Sequence, residues 1–452
     1  MSDLTAYISE NNLGTEYPIS KVAANEWKSF AMYTVESRAI PNMIDGLKPV
    51  QRFYLYSSIL NSKKDFKKVS AVSGIISDYG YNHGEASAAG AGQLMAATWN
   101  NNICLIEGRG SFGTRLVQEA GAPRYVYSRL SDNFNKYMKD LDLSPVHEDP
   151  EHEPPQFYLP IIPMVLVNGT KGIATGFATN ILPHDPQDLA KACLQYIKNN
   201  AIRTPIRVKF PDYTGEVEQS IEDPTKYVSY GTFTRRGKTA VSITEVPYGF
   251  DREGYVKVLD KLEEDGDIVS YEDLCDKEGF RFEVKLKLAS AKWSDSKIIT
   301  KFKLSKPYAQ NITVIDFDGK LREYADAKQL VKDFCDYRLG ILQQRIDARV
   351  EEFTEEVRWL KLKMEFITEF LADRIVFKNK KRNEVAIQIM KGTRAESTSD
   401  VNRLLALSIS TLTEEEIVKL QKQIDETNKT LEFWNTTTPT EQFITDLEGI
   451  NN

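Results

Sequence analysis

The stretch GAPRYVYSRL, residues 121–130, places two tyrosines two positions apart, with an arginine directly before the first one. A tyrosine hydroxyl can act as the nucleophile of a covalent catalyst. Aromatic residues at alternating positions are equally typical of an ordinary β-strand. This stretch leaves both interpretations of Tyr125 and Tyr127 open, and the rest of the chain has to decide between them.

The composition is that of a globular protein with about two or three domains. Of the 452 residues, 41% are hydrophobic and 27% are charged. No apolar run approaches the ~20 residues that a membrane span needs, and the N-terminus does not resemble a signal peptide. The four cysteines are scattered, as expected for reduced thiols. We therefore expect a cytoplasmic protein that makes no use of a membrane.

The net charge of −7 argues weakly against a nucleic acid partner, but it conceals a basic segment. Residues 21–70 contain four acidic residues and the following nine lysines and arginines: Lys21, Lys28, Arg38, Lys48, Arg52, Lys63, Lys64, Lys67 and Lys68. Such a segment is compatible with a DNA-binding surface and also with an ordinary solvated surface.

The distribution of helix and strand signals along the chain predicts an α+β multidomain protein. A polar arm covers residues 1–20, and a region of helical patterns and Gly-rich turns covers 21–155. The acidic, Pro-rich end of that region, residues 147–155, is expected to be a solvated boundary loop. Residues 156–326 are rich in strand signals, and residues 327–452 are helical.

Two apolar stripes predict a long antiparallel coiled coil in the last region. Apolar residues recur at heptad spacing from Leu342 to Leu371 and again from Ile417 to Trp434. The segment between them is expected to form a small helical head at about residues 377–410. An amphipathic helix in a globular core is the alternative interpretation.

Residues 84–93, GEASAAGAGQ, predict a helix built almost entirely of small residues. Small side chains bury little surface, and so another part of the molecule is expected to approach this helix closely. Residues 69–80 predict a preceding helix, and His83 lies in the turn between the two. Together they resemble a helix-turn-helix, for which duplex DNA is a reasonable ligand.

Other motifs have competing interpretations. GRGSFG, residues 108–113, matches the dinucleotide fingerprint and would suggest an oxidoreductase, but Pro123 interrupts the segment after it and no second βαβ strand is recognisable. A tight turn that another backbone crosses is favoured. Asp316 and Asp318 favour a hairpin turn over a metal site, and His147 and His152 favour a solvated loop. No metal site is predicted in this chain.

Five blocks of sequence, in the same order, resemble the breakage-reunion subunit of type II DNA topoisomerases, most closely the members from T-even-like bacteriophages. They are residues 37–56, 79–87, 105–115, 121–130 and 159–186. The resemblance implies the following domains: a winged-helix DNA-gate domain with the catalytic tyrosine (21–155), a β-rich tower domain (156–326), and a coiled coil ending in a C-terminal dimer gate (327–452).

The resemblance also assigns catalytic residues. The nucleophile is the tyrosine directly after an arginine, which is Tyr125, and Arg124 lies beside the scissile phosphate. His83 and Arg38 belong to the same catalytic set. The assignment is chemically reasonable, because a phenol with a pKa of about 10 must lose its proton during attack, a histidine can handle that proton, and cations offset phosphate charge.

DNA-binding residues are implied in the same way: Asp45, Lys48, Arg52, Ser87 and Ile173. The first three lie in DGLKPVQR, which lines the DNA-facing surface in relatives. Ile173 matches an apolar wedge that unstacks base pairs and bends the duplex. Without the resemblance, a buried strand residue would be the preferred interpretation of Ile173. Many bacterial relatives have a second histidine where this chain has YNHG, and so only His83 is available.

The implied function is DNA cleavage and rejoining within an ATP-dependent type II topoisomerase, through 5′-phosphotyrosyl links in a homodimer. Double-stranded DNA is the substrate. No ATPase fingerprint is present, and so Mg²⁺ and ATP are expected to be bound by a separate large subunit. No DNA-wrapping domain follows the coiled coil, which favours relaxation and decatenation over supercoiling. The alternative is a non-catalytic DNA-binding or architectural protein on the same fold.

Overall fold

A computed structural model describes residues 19–450, except for the side chains of Ser37 and Ile409, and most of the predicted N-terminal arm lies outside this range. The chain forms two compact units. The first contains the chain up to residue 338 and the segment from residue 446 onward, and the second contains residues 339–445. None of the described helices is long and apolar enough to cross a membrane.

Helices occur throughout the described chain. The α-helices α1 to α15 are, in order, Ile19–Val22, Lys28–Thr34, Pro49–Asn61, Val69–Gly74, Glu85–Ala96, Asp132–Tyr137, Met164–Asn168, Pro186–Asn199, Arg252–Glu264, Asp295–Lys301, Ala327–Leu371, Arg382–Gly392, Thr398–Leu405, Glu414–Thr436 and Pro439–Gly449. Two π-helical turns, Ala23–Trp27 and Val35–Ala39, follow α1 and α2. Short 3₁₀ turns are Ile76–Tyr79, Leu141–Leu143, Ser290–Lys292 and Ile409–Thr411.

The strands are concentrated between residues 106 and 324. In chain order, β1 to β16 are Lys67–Lys68, Ile106–Arg109, Tyr127–Leu130, Met138–Lys139, Leu159–Pro160, Thr170–Ile173, Ala178–Ile181, Val217–Gln219, Lys226–Tyr230, Thr232–Arg236, Ala240–Glu245, Ile268–Asp273, Phe282–Leu286, Ser305–Ala309, Ile312–Ile315 and Leu321–Tyr324.

The strands form small antiparallel sheets rather than one large one. The larger sheets have the orders β1-β3-β2, β10-β11-β13-β12 and β14-β9-β8, and the pairs β4-β5, β6-β7 and β15-β16 complete the set in the described chain. Separate antiparallel sheets mixed with helices agree with the predicted α+β class. The last pair confirms the hairpin expected around Asp318, although its loop, residues 316–320, is longer than a two-residue turn.

The four-stranded sheet carries the main core of the strand-rich region. Helix α9 lays Tyr255 and Leu259 against Ile243 of β11 and Phe282 of β13, and all four side chains are fully buried. Alternation along the strands explains this arrangement, because every second side chain points to the covered face.

The second unit contains helices where the heptad stripes predicted them. The first stripe lies within α11, the second lies within α14, and α12 and α13 lie between them. Their shared core includes Phe366 and Ile367 of α11 and Leu420 of α14. Lys363 of α11 forms an ion pair with Glu416 of α14 at 2.8 Å. The coiled coil itself and the domain boundaries stay predictions.

The small-residue helix, α5, does allow a close approach. The ring of Tyr54, on α3, lies directly against Gly92, and a Cβ atom at Gly92 would overlap it. The Tyr54 hydroxyl shares a hydrogen bond of 2.7 Å with the Ser128 Oγ on β3. One tyrosine thus joins α3, α5 and the three-stranded sheet, and its ring explains the glycine at position 92.

Candidate active site

Tyr125 lies in a tight turn immediately before β3. Its backbone N–H donates to the Ala122 carbonyl oxygen at 2.9 Å, which closes the turn. The side chain is 69% exposed. The Arg124 guanidinium carbon lies 4.6 Å from the centroid of the Tyr125 ring. The turn therefore presents a phenol to solvent with a cation directly beside it, as a nucleophile for a phosphate group requires.

The turn is anchored from below by Val126, which is buried. The Val126 carbonyl oxygen accepts a hydrogen bond from the Val69 N–H at 3.0 Å, at the start of α4. Gly110 packs against the same side chain: a Cβ there would lie 3.1 Å from Val126 Cγ1, and its φ of +113° favours glycine. GRGSFG is thus a packed turn, and residues 110–126 contain no helix, which argues against the dinucleotide interpretation.

A row of exposed cationic and aromatic side chains crosses the sheet next to this turn. Tyr127 of β3 is paired with Lys68 of β1 on one side and with Arg109 of β2 on the other. All three are exposed. Within residues 19–450, neither of these two cations, nor Arg124, forms an ion pair with a carboxylate. Free cations on a surface are available to an anionic ligand.

Exposure separates Tyr125 from Tyr54, a buried tyrosine of the same region. Burial raises the pKa of Tyr54 to about 12, although its hydrogen bond with Ser128 opposes this shift. A phenol that is both enclosed and harder to ionise is a poor nucleophile. Tyr54 is therefore enclosed in the packing of α3 and α5, whereas the Tyr125 side chain is accessible to solvent.

A second cluster joins Arg38, His83 and a residue that the sequence did not single out, Tyr33. The Tyr33 hydroxyl lies 3.2 Å from His83 Nε2. The Arg38 guanidinium carbon lies 5.4 Å from the centroid of the Tyr33 ring. The ring of Tyr81 contacts His83 edge-on, with centroids 5.3 Å apart. The only sequence signal for Tyr33 is its position in the helix that directly precedes the turn carrying Arg38.

The four predicted catalytic residues are brought together in pairs. Arg124 lies beside Tyr125, and Arg38 and His83 meet at Tyr33. Between the two pairs, the described part of the chain contains no hydrogen bond, ion pair or ring contact. Within one copy of the chain, the two pairs are therefore not in direct contact.

Two of the predicted DNA-binding residues are buried. Asp45 is 1% exposed and Arg52 is 9% exposed. The Arg52 Nε donates to Asp45 Oδ2 at 2.7 Å, and its Nη2 donates to Asp45 Oδ1 at 3.0 Å. Asp45 also accepts the backbone N–H groups of Leu47 and Tyr158. In this structure the pair shapes the loop that carries Lys48, and direct DNA contact by Asp45 and Arg52 stays a prediction.

Lys48 and Ser87 lie closer to the surface. Lys48 is half-buried, and its Nζ donates to the Lys171 carbonyl oxygen at 2.8 Å. Burial lowers the pKa of Lys48, because the ammonium group loses solvation. Ser87 is exposed in the first turn of α5.

The hairpin of β6 and β7 carries the predicted wedge. Ile173 is 78% exposed, which excludes the buried-strand interpretation. Phe177, across the hairpin tip, is also exposed, and its carbonyl oxygen accepts the Ala174 N–H at 2.8 Å. At Gly172 the hairpin touches the backbone of Ala39, where a Cβ would overlap the Ala39 carbonyl oxygen. An apolar tip is therefore fixed directly beside the residue that follows Arg38.

The acidic loop brings its two histidines together. His147 Nε2 and His152 Nδ1 lie 3.3 Å apart, and the His152 ring packs edge-on against Phe53 at 5.2 Å. The Glu153 N–H donates to the Tyr79 carbonyl oxygen at 3.1 Å, which ties this loop to the segment that precedes His83. No group of three or more metal-ligating side chains occurs within the described residues.

Comparison with known proteins gives consistent results. The family model that describes the A-type subunit of DNA gyrase/topoisomerase IV matches residues 38–448. The DNA topoisomerase medium subunit of Enterobacteria phage T4 is 41% identical over 441 residues, which cover 96% of this chain and 98% of that protein.

More distant relatives are much longer. DNA topoisomerase 2 of Saccharomyces cerevisiae is 29% identical over 394 residues, covering 82% of this chain but 27% of the yeast protein. A crystal structure of the Plasmodium falciparum topoisomerase II DNA-binding, cleavage and re-ligation domain superposes with a TM-score of 0.85 at 26% identity. The superposition covers 94% of this chain and 63% of that one.

Proposed function

The chain belongs to the family of A-type subunits of DNA gyrase and topoisomerase IV, and on this premise we propose that it is the DNA cleavage and rejoining subunit of a type II DNA topoisomerase. Tyr125 is proposed as the nucleophile. The observation that carries this assignment is the exposed Tyr125 phenol with the Arg124 guanidinium against its ring, on a turn that is anchored from below.

The reaction is a transesterification at phosphorus. The Tyr125 hydroxyl oxygen attacks a backbone phosphorus, a bond from phosphorus to tyrosine forms, and the bond from phosphorus to the 3′ oxygen breaks. The phenol proton passes to a base, and the departing oxygen takes up a proton to become a 3′ hydroxyl. One DNA end then carries a 5′-phosphotyrosine. Because an ester replaces an ester, the 3′ hydroxyl can reverse the step without an external energy source.

The residues around Tyr125 have separate roles in this proposal. Arg124 and the exposed cations Lys68 and Arg109 neutralise the DNA phosphates. His83 acts on the transferred proton, and Arg38 binds the reacting phosphate. The exposed Ile173 inserts between base pairs and bends the duplex, at the cost of unstacking. Ser87 and Lys48 contact the DNA backbone.

A homodimer accounts for the separation of the two residue pairs. We propose that Arg124 and Tyr125 of one copy work with Arg38 and His83 of the other, and that two such composite sites cut the two strands. On the same proposal, residues 21–155 form a winged-helix DNA gate, residues 156–326 form the tower, and residues 327–452 form the coiled coil with the exit gate. The complex would act in the cytoplasm of a bacterium, within the host cell if the chain is phage-encoded.

Mg²⁺ and ATP are proposed to come with a large partner subunit. The described residues offer no carboxylate cluster for the metal, and the sequence has no phosphate-binding loop for the nucleotide. Bound Mg²⁺ would offset charge on the phosphate during exchange. Cleavage by this chain should therefore require that subunit.

The test is a cleavage-trapping assay on supercoiled plasmid. The full complex of this chain, its large subunit and Mg²⁺ is stopped with detergent and digested with protease. Tyr125→Phe should lower the yield of protein-linked linear DNA at least about 1,000-fold, because no other group replaces the nucleophile. Tyr127→Phe is the matched control and should retain cleavage. No covalent product from the wild-type complex would favour the architectural DNA-binding alternative.

A further inference from the structure

We propose that Tyr33 is a positioning residue of the cleavage site, which holds both His83 and Arg38. This inference rests on the proposed function, because positioning His83 and Arg38 affects cleavage only if those two residues act on the DNA phosphate. It goes further by naming a side chain outside the catalytic set, by separating the task of its hydroxyl from that of its ring, and by predicting a distinct effect for each.

The hydroxyl of Tyr33 acts on His83. Its oxygen lies 3.2 Å from His83 Nε2 and is the sole hydrogen-bond partner of that imidazole among the described residues. The Tyr81 ring stands at 77° to the imidazole plane, with centroids 5.3 Å apart, and limits its tilt. The imidazole is thus held by one directional contact and one steric contact.

A tyrosine hydroxyl suits a histidine that gains and loses a proton, because it can both donate and accept a hydrogen bond. Toward the neutral imidazole the hydroxyl donates to Nε2, which places the ring proton on Nδ1. Toward the imidazolium the same oxygen accepts from Nε2–H. Tyr33 can therefore keep His83 oriented in both states, and the tautomer follows from the contact that it makes.

The ring of Tyr33 acts on Arg38. The guanidinium carbon lies 5.4 Å from the ring centroid, within the range of a cation–π contact. Arg38 is exposed and forms no ion pair with a carboxylate in the described chain. A long cationic side chain without an anionic partner is otherwise free to sample many rotamers. The aromatic face limits that freedom without neutralising the charge that the phosphate requires.

The backbone explains how both contacts come from one residue. Tyr33 is near the end of α2, and a π-helical turn, Val35–Ala39, follows it. The Ile40 N–H donates to the Val35 carbonyl oxygen at 3.2 Å, a spacing of five residues. In a regular α-helix, residues five apart point in clearly different directions. The wider turn brings Arg38 back toward the face that carries Tyr33, as π-turns often do at functional sites.

Two substitutions separate the two tasks. Tyr33→Phe keeps the ring and removes the hydroxyl, whereas Tyr33→Leu removes both. In the full complex with its large subunit, the rate of single-turnover cleavage of a short duplex should fall about 10-fold for Tyr33→Phe, and its dependence on pH between 6 and 9 should change. Tyr33→Leu should be slower again by about the same factor, since Arg38 also loses its support.

Controls distinguish positioning from folding and from DNA affinity. Phe30→Leu, on the same exposed helix, should leave the rate and the pH profile unchanged. Duplex affinity should change less than about 3-fold in Tyr33→Phe, because the change affects the reaction rather than binding. The double variant that combines Tyr33→Phe with His83→Ala should cleave no more slowly than the single variant His83→Ala.

The outcomes have distinct meanings. A wild-type rate and pH profile for Tyr33→Phe, combined with slow cleavage by His83→Ala, would overturn the role of the hydroxyl and leave the proposed function intact. An additive loss in the double variant would also overturn it. If the wild-type complex forms no tyrosyl–DNA link at all, the proposed function fails first, before the Tyr33 variants are compared.

Discussion

The cleavage surface and the scaffold beneath it differ in how completely their side chains are paired. The proposed cleavage surface consists of Arg124, Tyr125 and Ile173, all exposed. The scaffold consists of Asp45, Arg52, Tyr54, Gly92 and His184, which are buried and tightly packed. Ile173 and His184, one from each group, come from the same sequence block, residues 159–186. A residue can therefore belong to a functional motif because it touches the ligand or because it shapes the surface that does.

The largest effect is expected at the buried ion pair. Asp45→Asn leaves the Arg52 cation buried without a counter-charge, and it should cost about 3–5 kcal/mol of unfolding free energy. The measurement is a urea titration followed by intrinsic tryptophan fluorescence, to which Trp99, buried in the same unit, contributes.

An exposed ion pair provides the control for this variant. Glu253 and Lys257 lie 2.8 Å apart with side chains that are 80% and 70% exposed. Glu253→Gln should cost less than about 1 kcal/mol. Equal losses at the two sites would contradict the distinction between scaffold and surface.

A pH-dependent effect of intermediate size is expected at His184. Burial lowers its pKa to about 4, whereas an unfolded histidine titrates near 6.5. Between pH 4 and pH 6.5 the imidazole of His184 is protonated in the unfolded chain but neutral in the folded protein. The stabilisation that the folded protein gains from the neutral imidazole is therefore complete above pH 6.5 and is lost as the pH falls toward 4.

The effect is isolated by comparison with His184→Asn. From pH 7 to pH 5 the wild-type protein should lose about 2 kcal/mol more unfolding free energy than this variant does. Carboxylates elsewhere titrate in both proteins, and so their effects on the unfolding free energy cancel in the comparison. Parallel pH curves for the two proteins would show that His184 is not held neutral by burial.

A loss of similar size is expected from adding one methyl group to the small-residue helix. Gly92→Ala places a Cβ into the Tyr54 ring and should cost about 1–3 kcal/mol. Gly90 lies in the same helix, with no atom within 4 Å of a Cβ at that position. Gly90→Ala should therefore be neutral or stabilising by up to about 1 kcal/mol. Thermal unfolding of the two variants side by side would reveal the difference, and a loss at both positions would contradict it.

The smallest effect on stability is expected at the hairpin tip. Ile173→Ala should change the unfolding free energy by less than about 0.5 kcal/mol, because the side chain is already exposed. Bending of a labelled duplex by the full complex, measured by energy transfer between its ends, should nevertheless decrease clearly. A stability loss with unchanged bending would move Ile173 from the cleavage surface to the scaffold.

Much of the site could be predicted because its signals are local. The arginine–tyrosine pair, the turn around His83 and the small-residue helix each occupy a few consecutive residues, and the apolar stripes of α11 and α14 repeat at a fixed period. Periodicity and neighbouring residue types act over one or two turns of chain, where sequence order and spatial order coincide.

Burial and pairing could not be predicted in the same way. Asp45 was expected to face DNA, but one of its oxygens accepts the N–H of Tyr158, which is 113 residues away in the chain. Tyr33 carries no local signal of its role, because its partner, His83, lies 50 residues further on. Nothing in either local sequence distinguishes a charged residue that meets a ligand from one that meets another side chain.

By itself, the sequence determined the family, the helical and strand-rich regions, and the tyrosine most suited to act as nucleophile. Only the tertiary structure decided that Asp45 and Arg52 are enclosed, that Ile173 projects outward, and that Tyr33 joins Arg38 to His83. The physical reason is that covalent neighbours and periodicity are properties of the chain, whereas desolvation and hydrogen-bond partners depend on which distant segments pack together.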